Sequence, residues 1–248
     1  MAKGCPVSIS ILSNSPNHFL RSLSPQDAEL LQPGLKSVEL PSGMALYKAN
    51  DTITRVYFPY SGMVSYVVGV VSGEIVEAGV IGRNSAVGAG APLDGSIAIN
   101  EAMVQVAMSA GAVEVGLLKR LATGSDTLRA CFARHEEMAL AQVQQVAACN
   151  ALHGLEQRLS RWLLQARDLL NADVLPLTQN FLSQMLGVHR SSLTLVARRL
   201  QEAGLIDYRH GNIQLRNAEA LKDVSCECYG AINAHFIRLI GWSPDFNG

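Results

Sequence analysis

The stretch Leu177–Leu215, LTQNFLSQMLGVHRSSLTLVARRLQEAGLIDYRHGNIQL, constrains this chain more than any other. Thr178 suits a helix N-cap, because its hydroxyl can accept a free backbone N–H of the first turn. Phe181, Leu182, Met185 and Leu186 follow at helical spacing, and Gly187 stops the helix by tolerating a left-handed backbone. In the next segment Leu193, Val196, Ala197 and Leu200 repeat at i, i+3, i+4, i+7, which is one buried stripe. Arg190, Ser191, Thr194, Arg198 and Gln201 fall on the other face and in the first turn, and Ala203-Gly204 ends the helix.

Two short helices joined by a glycine turn, the second with a hydrogen-bonding leading end, form a helix-turn-helix. Such a second helix can enter a DNA major groove with its first turn against base edges. Leu205–Tyr208 and Ile213–Leu215 then flank Arg209-His210-Gly211-Asn212, a hairpin with turn residues and a cation at its tip. That is the design of a DNA-binding wing, which an ordinary buried helical hairpin does not need.

Composition narrows the rest. With 248 residues, 48% hydrophobic and 17% charged, the chain suits two modest domains and is not disordered. No apolar run reaches the roughly eighteen residues of a membrane span, and the start, MAKGCPVSIS, lacks a signal-peptide core, so a cytoplasmic protein is expected. Net charge is −1, but its distribution is uneven. Residues 153–222 hold nine Lys and Arg against six Asp and Glu, whereas residues 1–152 hold ten against twelve. Phosphate attraction depends on where the cations sit. The five cysteines, Cys5, Cys131, Cys149, Cys226 and Cys228, are odd in number and scattered, which argues against a disulfide framework. No nucleophile elbow, P-loop or H-E-x-x-H occurs, so an enzyme is not expected.

In chain order, residues 1–17 read as a loose arm and 18–32 as a helix. From Lys36 the period becomes two. Val38–Leu40 and Met44–Tyr47 look like strands paired across the turn Pro41-Ser42-Gly43. Val56–Pro59, Met63–Val71, Glu74–Val80, Gly82–Gly90 and Ala102–Val115 continue as short strands between glycine turns, which suggests a small antiparallel roll or barrel. Residues 127–152 form a long proline-free helix that Asp126 can cap. Ala139, Val143, Val146 and Ala147, with Leu140 beside them, make a stripe suited to burial against a twin subunit. His153-Gly154 marks a hinge, Leu155–Leu170 an amphipathic helix, and Asn217 can cap a last helix, Ala218–Leu239.

Carried by Leu177–Leu215 and Val56–Gly88, the chain resembles the Crp/Fnr superfamily of bacterial transcription regulators. The fold class this implies is α+β: a β-roll like cyclic-nucleotide-binding modules over residues 1–126, a dimerisation helix over 127–152 and a winged helix-turn-helix over 153–248. The resemblance implies a homodimeric regulator that reads a near-palindrome in double-stranded DNA, with RNA polymerase as a further partner and a small-molecule effector of unknown identity. Two recognition helices about 34 Å apart would read half-sites one turn apart, and a hinge shift near His153 would alter their spacing.

Arg190 stands where the family places a base-reading arginine, whose fork can donate twice to guanine. Ser191 and Thr194 complete the expected base readers. Thr178, Gln179, His189, Ser192, Arg198, Arg209 and His210 are expected on the phosphate backbone, where contacts set register without reading sequence. The cyclic-AMP receptor pattern is not kept, since Ser191 replaces a glutamate and Leu195 a second arginine. Leu195 could touch a thymine methyl or belong to the core. The effector pocket is expected around Gly82, Arg83, Asn84, Ser85, Asn100 and Glu101. Arg83 replaces the ribose-binding glutamate there, and Asn100 the phosphate-binding arginine, which removes the main charge-assisted bond to an anion. Cyclic AMP is therefore not the expected effector.

No cofactor or metal is expected. An iron–sulfur centre needs four thiolates, and the N-terminal arm has only Cys5. Cys226 and Cys228, two apart on a helix, would project about 200° apart and could not clasp one ion. The alternative function is a ligand-binding signalling protein whose winged helix contacts another protein. A polar, cationic face over Leu193–Gln201 favours DNA, whereas an apolar patch favours that alternative.

Overall fold

The computed structural model describes residues 11–209 and 211–244. The expected arm before residue 11, Cys5 within it, and His210 lie outside the described residues.

The N-terminal half is two antiparallel sheets folded into a roll. Strands β1 (Lys36–Leu40), β3 (Arg55–Pro59) and β7 (Met108–Glu114) form one, in the order β1-β7-β3. Strands β2 (Ala45–Tyr47), β4 (Met63–Gly69), β5 (Ile75–Ile81) and β6 (Glu101–Val106) form the other, ordered β2-β6-β4-β5. Met63–Val67 is buried without a break, since a central strand covered on both faces has no solvent side to alternate with. Gly62 enters β4 at φ +73, where a Cβ would lie 2.5 Å from the Ala107 carbonyl oxygen, so glycine is required there.

Three expectations for the strands of this half change. The segments around Val38 and Met44 are both strands but do not pair; the turn between them carries the chain from one sheet to the other, with β1 on β7 and β2 on β6. Gly82–Gly90 is not a strand but turns held by a single bridge, Tyr57 to Val87. Ala102–Val115 is two strands, β6 and β7.

Two helices, α1 (His18–Arg21) and α2 (Pro25–Leu31), replace the single helix expected over 18–32. Ser24 separates them because its hydroxyl takes the Asp27 N–H at 3.1 Å, which caps a new helix with Pro25 in its first turn. Phe19 is buried in the roll, its ring tilted against Phe58 at 5.2 Å, Phe132 at 4.8 Å and His135 at 4.6 Å.

Helix α3 (Val115–Gly124), unforeseen from the sequence, follows β7 directly and leads into α4 (Asp126–Leu152). Ser125, not Asp126, caps α4, accepting the Leu128 N–H at 3.2 Å. The C-terminal half holds α5 (Leu155–Leu170), the short strand β8 (Val174–Leu175), α6 (Gln179–Met185), α7 (Arg190–Glu202), β9 (Ile206–Arg209), β10 (Asn212–Leu215), α8 (Ala218–Val224) and α9 (Cys228–Ile240). The wing gains a third strand, since β8 pairs with β10.

The last helix is also two. Ser225 adopts ψ 163 and caps α8 with its own N–H on the Leu221 and Lys222 carbonyls, so the chain turns before Cys228. Helix α9 then packs along α4. Val146, in the stripe expected to face a twin, is buried, and Val143 half-buried. Ala147 of that stripe and Leu140 beside it stay exposed, in a row with Ala133, Glu137, Gln144 and Ala151 at alternating spacings of four and three.

Candidate nucleic-acid interface

Thr178 caps α6 as its chemistry dictates, accepting the Phe181 N–H at 3.2 Å. Gly187 adopts φ +61, and the Val188 N–H closes the turn on the Ser183 carbonyl at 2.9 Å. His189 precedes α7 without a side-chain capping bond, which leaves leading N–H groups of that helix open at its end. Leu193, Val196, Ala197 and Leu200 are buried, as their spacing requires. Arg190, Ser191, Ser192, Thr194, Arg198 and Arg199 are exposed.

Within that face the side chains differ in readiness. The Arg190 guanidinium is exposed and makes no hydrogen bond or ion pair among the described residues, so its fork is available to a guest. Thr194 is engaged, its one hydroxyl proton shared between Gln179 Oε1 at 3.0 Å and the Arg190 carbonyl at 2.9 Å. That bond braces α7 against the start of α6 and gives Thr194 and Gln179 a positioning role. Arg198 pairs with Glu202 at 2.7 Å, both side chains well exposed, a contact that water and salt weaken. Leu195 is 54% exposed near the middle of the face, which decides that it is not core.

In the wing, Arg209 and Arg216 share the Asp207 carboxylate at 3.1 and 3.0 Å. The Arg216 bond, ahead of Arg209, holds that carboxyl below its usual range. Tyr208 orients the wing on the reading unit, its hydroxyl accepting the Gln179 N–H at 3.3 Å.

The helix-turn-helix sits on the roll. Trp162 of α5 donates to Glu77 of β5 at 2.6 Å. Gly187 lies where a Cβ would stand 3.4 Å from Val76 Cγ2. Gly82 packs under Leu169, and Arg83 Nε donates to the Leu169 carbonyl at 3.3 Å. This docking covers the inner side of α6 and leaves the outer face of α7 open.

A second feature lies between the roll and α4, a cleft of about 520 Å³ lined by Tyr47, Tyr66, Ile97, Ile99, Leu140 and Glu136 among others. Asn100 also lines it; Gly82, Arg83, Asn84, Ser85 and Glu101 do not. Gly82–Ser85 instead form the joint with α5 and α4, where Ser85 meets His135 Nδ1 at 2.7 Å, and Glu101 begins β6 opposite Val67. Burial raises the Glu136 carboxyl despite a bond from the Gly90 backbone, and burial pushes the Tyr66 and Tyr47 hydroxyls far up. The cleft is thus mainly apolar, with neutral hydroxyls. Its tyrosines and Glu136 carried no sequence signal, because only the closing of α4 over the roll assembles them.

A roll, a long helix, and a winged helix-turn-helix whose outer face is polar, cationic and exposed make up a winged-helix architecture. Residues 157–224 match the Crp-like helix-turn-helix domain. No curated protein matches the chain in sequence. Solved structures share its fold. FixK2 from Bradyrhizobium japonicum aligns with TM-score 0.68 at 14% identity, over 77% of this chain and 98% of that one. The c-di-GMP responsive regulator CLP of Xanthomonas campestris gives 0.64 at 16%, over 78% and 100%. A CRP-family transcriptional regulator from Thermus thermophilus gives 0.64 at 18%, over 76% and 96%. The chain therefore carries a Crp-like helix-turn-helix on a Crp/Fnr fold. Among the described residues, no helix is long and apolar enough to cross a membrane.

Proposed function

We propose that this protein is a sequence-specific transcription regulator that binds DNA as a homodimer. Arg190 reads guanine, supported by Ser191. Thr178, Gln179, His189, Ser192, Arg198 and Arg209 set α7 on the phosphate backbone, and Thr194 holds α7 at its angle. The observation that carries this reading is the unpaired, exposed Arg190 in the leading turn of a helix whose opposite stripe is buried. Leu195, lying among polar neighbours, suits a thymine methyl. A lone exposed leucine is not the apolar patch that a protein partner would need.

The 4-3 row on α4, small except for Leu140, Glu137 and Gln144, is the surface on which two copies would pair. The cleft beneath it is short of cations, so an apolar or neutral effector fits it better than a cyclic nucleotide. A gel-shift series on genomic fragments tests the reading. Selective retention of some fragments against competitor DNA, lost in Arg190→Ala, is the expected outcome. Equal binding to all fragments, unchanged by that substitution, would refute it.

A further inference from the structure

The break between α8 and α9 brings together two pairs of side chains that lie more than seventy residues apart in the sequence. Cys149 lies in the last turn of α4 and His153 just past its end; Cys226 lies in the break, and Cys228 opens α9. Their ligating atoms all lie within 4.8 Å of one another. Cys149 Sγ is 3.5 Å from Cys226 Sγ, and Cys228 Sγ is 3.6 Å from His153 Nδ1. A tetrahedral zinc centre, with bonds of about 2.3 Å to sulfur and about 2.0 Å to nitrogen, has sulfur–sulfur edges of about 3.8 Å and sulfur–nitrogen edges of about 3.5 Å.

We propose that Cys149, His153, Cys226 and Cys228 form a closed, four-coordinate zinc site that staples the end of α4 to α9. The expectation that Cys226 and Cys228 cannot share an ion assumed both were on one helix, and Cys226 is not. The surroundings fit an ion. The other ring nitrogen of His153, Nε2, meets Glu227 Oε1 at 3.1 Å, which orients Nδ1 toward the sulfurs in the manner of a carboxylate–histidine–metal arrangement. Gln145 Nε2 donates to Cys228 Sγ at 3.1 Å. Three thiolates and a neutral imidazole around a divalent cation leave one net negative charge. Arg158 and Arg161, whose charges act on Cys149, stand near enough to offset it. Binding exchanges the thiol protons for the cation, with no change of oxidation state. Cys149, Cys226 and Cys228 are all buried, as a structural rather than catalytic centre requires, and no ligand position is left for water.

The test uses the full-length protein purified under reducing conditions without chelator. Elemental analysis should find one zinc per chain. After chelation, cobalt(II) should restore a thiolate-to-cobalt charge-transfer band and the intense visible bands of a tetrahedral ion. Cys226→Ser and His153→Ala should each lower the zinc content at least severalfold. Should those variants fail to fold, the cobalt titration of the unsubstituted chain decides alone. A metal-free protein with no charge-transfer band, an octahedral cobalt spectrum, or a Cys149–Cys226 disulfide forming in place of metal would each overturn the site.

Discussion

Trp162 and Glu77 face each other across the joint between the two halves, the indole N–H donating to Glu77 Oε1 at 2.6 Å while Ser65 donates to the other oxygen. Both residues are buried, and Arg161 lies near enough to act on the carboxylate. A polar bond in this joint fixes which surfaces meet, because any other docking would leave Glu77 Oε1 and the indole N–H unpaired.

Burial pushes the Glu77 carboxyl up to about 7, outweighing Ser65, Trp162 and Arg161, which pull it down. A raised acid is protonated more readily in the folded chain than in the unfolded one, so its contribution is complete below about 4.5 and is lost as pH rises through about 7. The change is about 3 kcal/mol over that window. Glu77→Gln should flatten the decline of stability across the window, measured by urea denaturation at stepped pH. An unchanged pH profile would show that Glu77 is not the group responsible.

Arg190→Ala should cost about 1–3 kcal/mol on a preferred DNA fragment and much less on random DNA, so that selectivity collapses. Arg198→Ala should weaken both by a similar factor and reduce the salt slope by about one. Anisotropy titrations at several salt concentrations separate the two behaviours.

Leu140 is 57% exposed on α4, within the row of 4-3 spacing. Leu140→Arg should place a cation in the pairing seam and shift the protein to monomers, read by sedimentation equilibrium, while its circular dichroism stays native. Its DNA affinity should fall with dimerisation, because one recognition helix alone forfeits the second half-site.

Gly187→Ala should destabilise by about 1–2 kcal/mol, since its left-handed φ of +61 disfavours a Cβ. At about 2–4 °C per kcal/mol for a chain of this size, the melting midpoint should drop visibly. Because that Cβ would also press on Val76 at 3.4 Å, DNA binding should change alongside stability.

Local chemistry was enough to make the helix-turn-helix legible. Thr178, Gly187 and the stripe Leu193, Val196, Ala197, Leu200 act within a few residues of one another, so local chemistry suffices to form two helices and a turn. Short strands between glycines likewise made the roll legible, as did the long proline-free helix. Tertiary structure decided whatever depends on distant surfaces meeting. It sent β1 and β2 to different sheets, took Val146 away from the free face of α4, and left Leu195 in solvent. It also gathered Cys149 and His153 with Cys226 and Cys228, because Ser225 ends α8 by taking its own backbone bonds and folds α9 back onto α4. Periodicity reports which face of an element is apolar, but not which neighbour covers it. That choice is made by packing and by buried polar pairs such as Trp162 and Glu77, whose partners lie far apart along the chain.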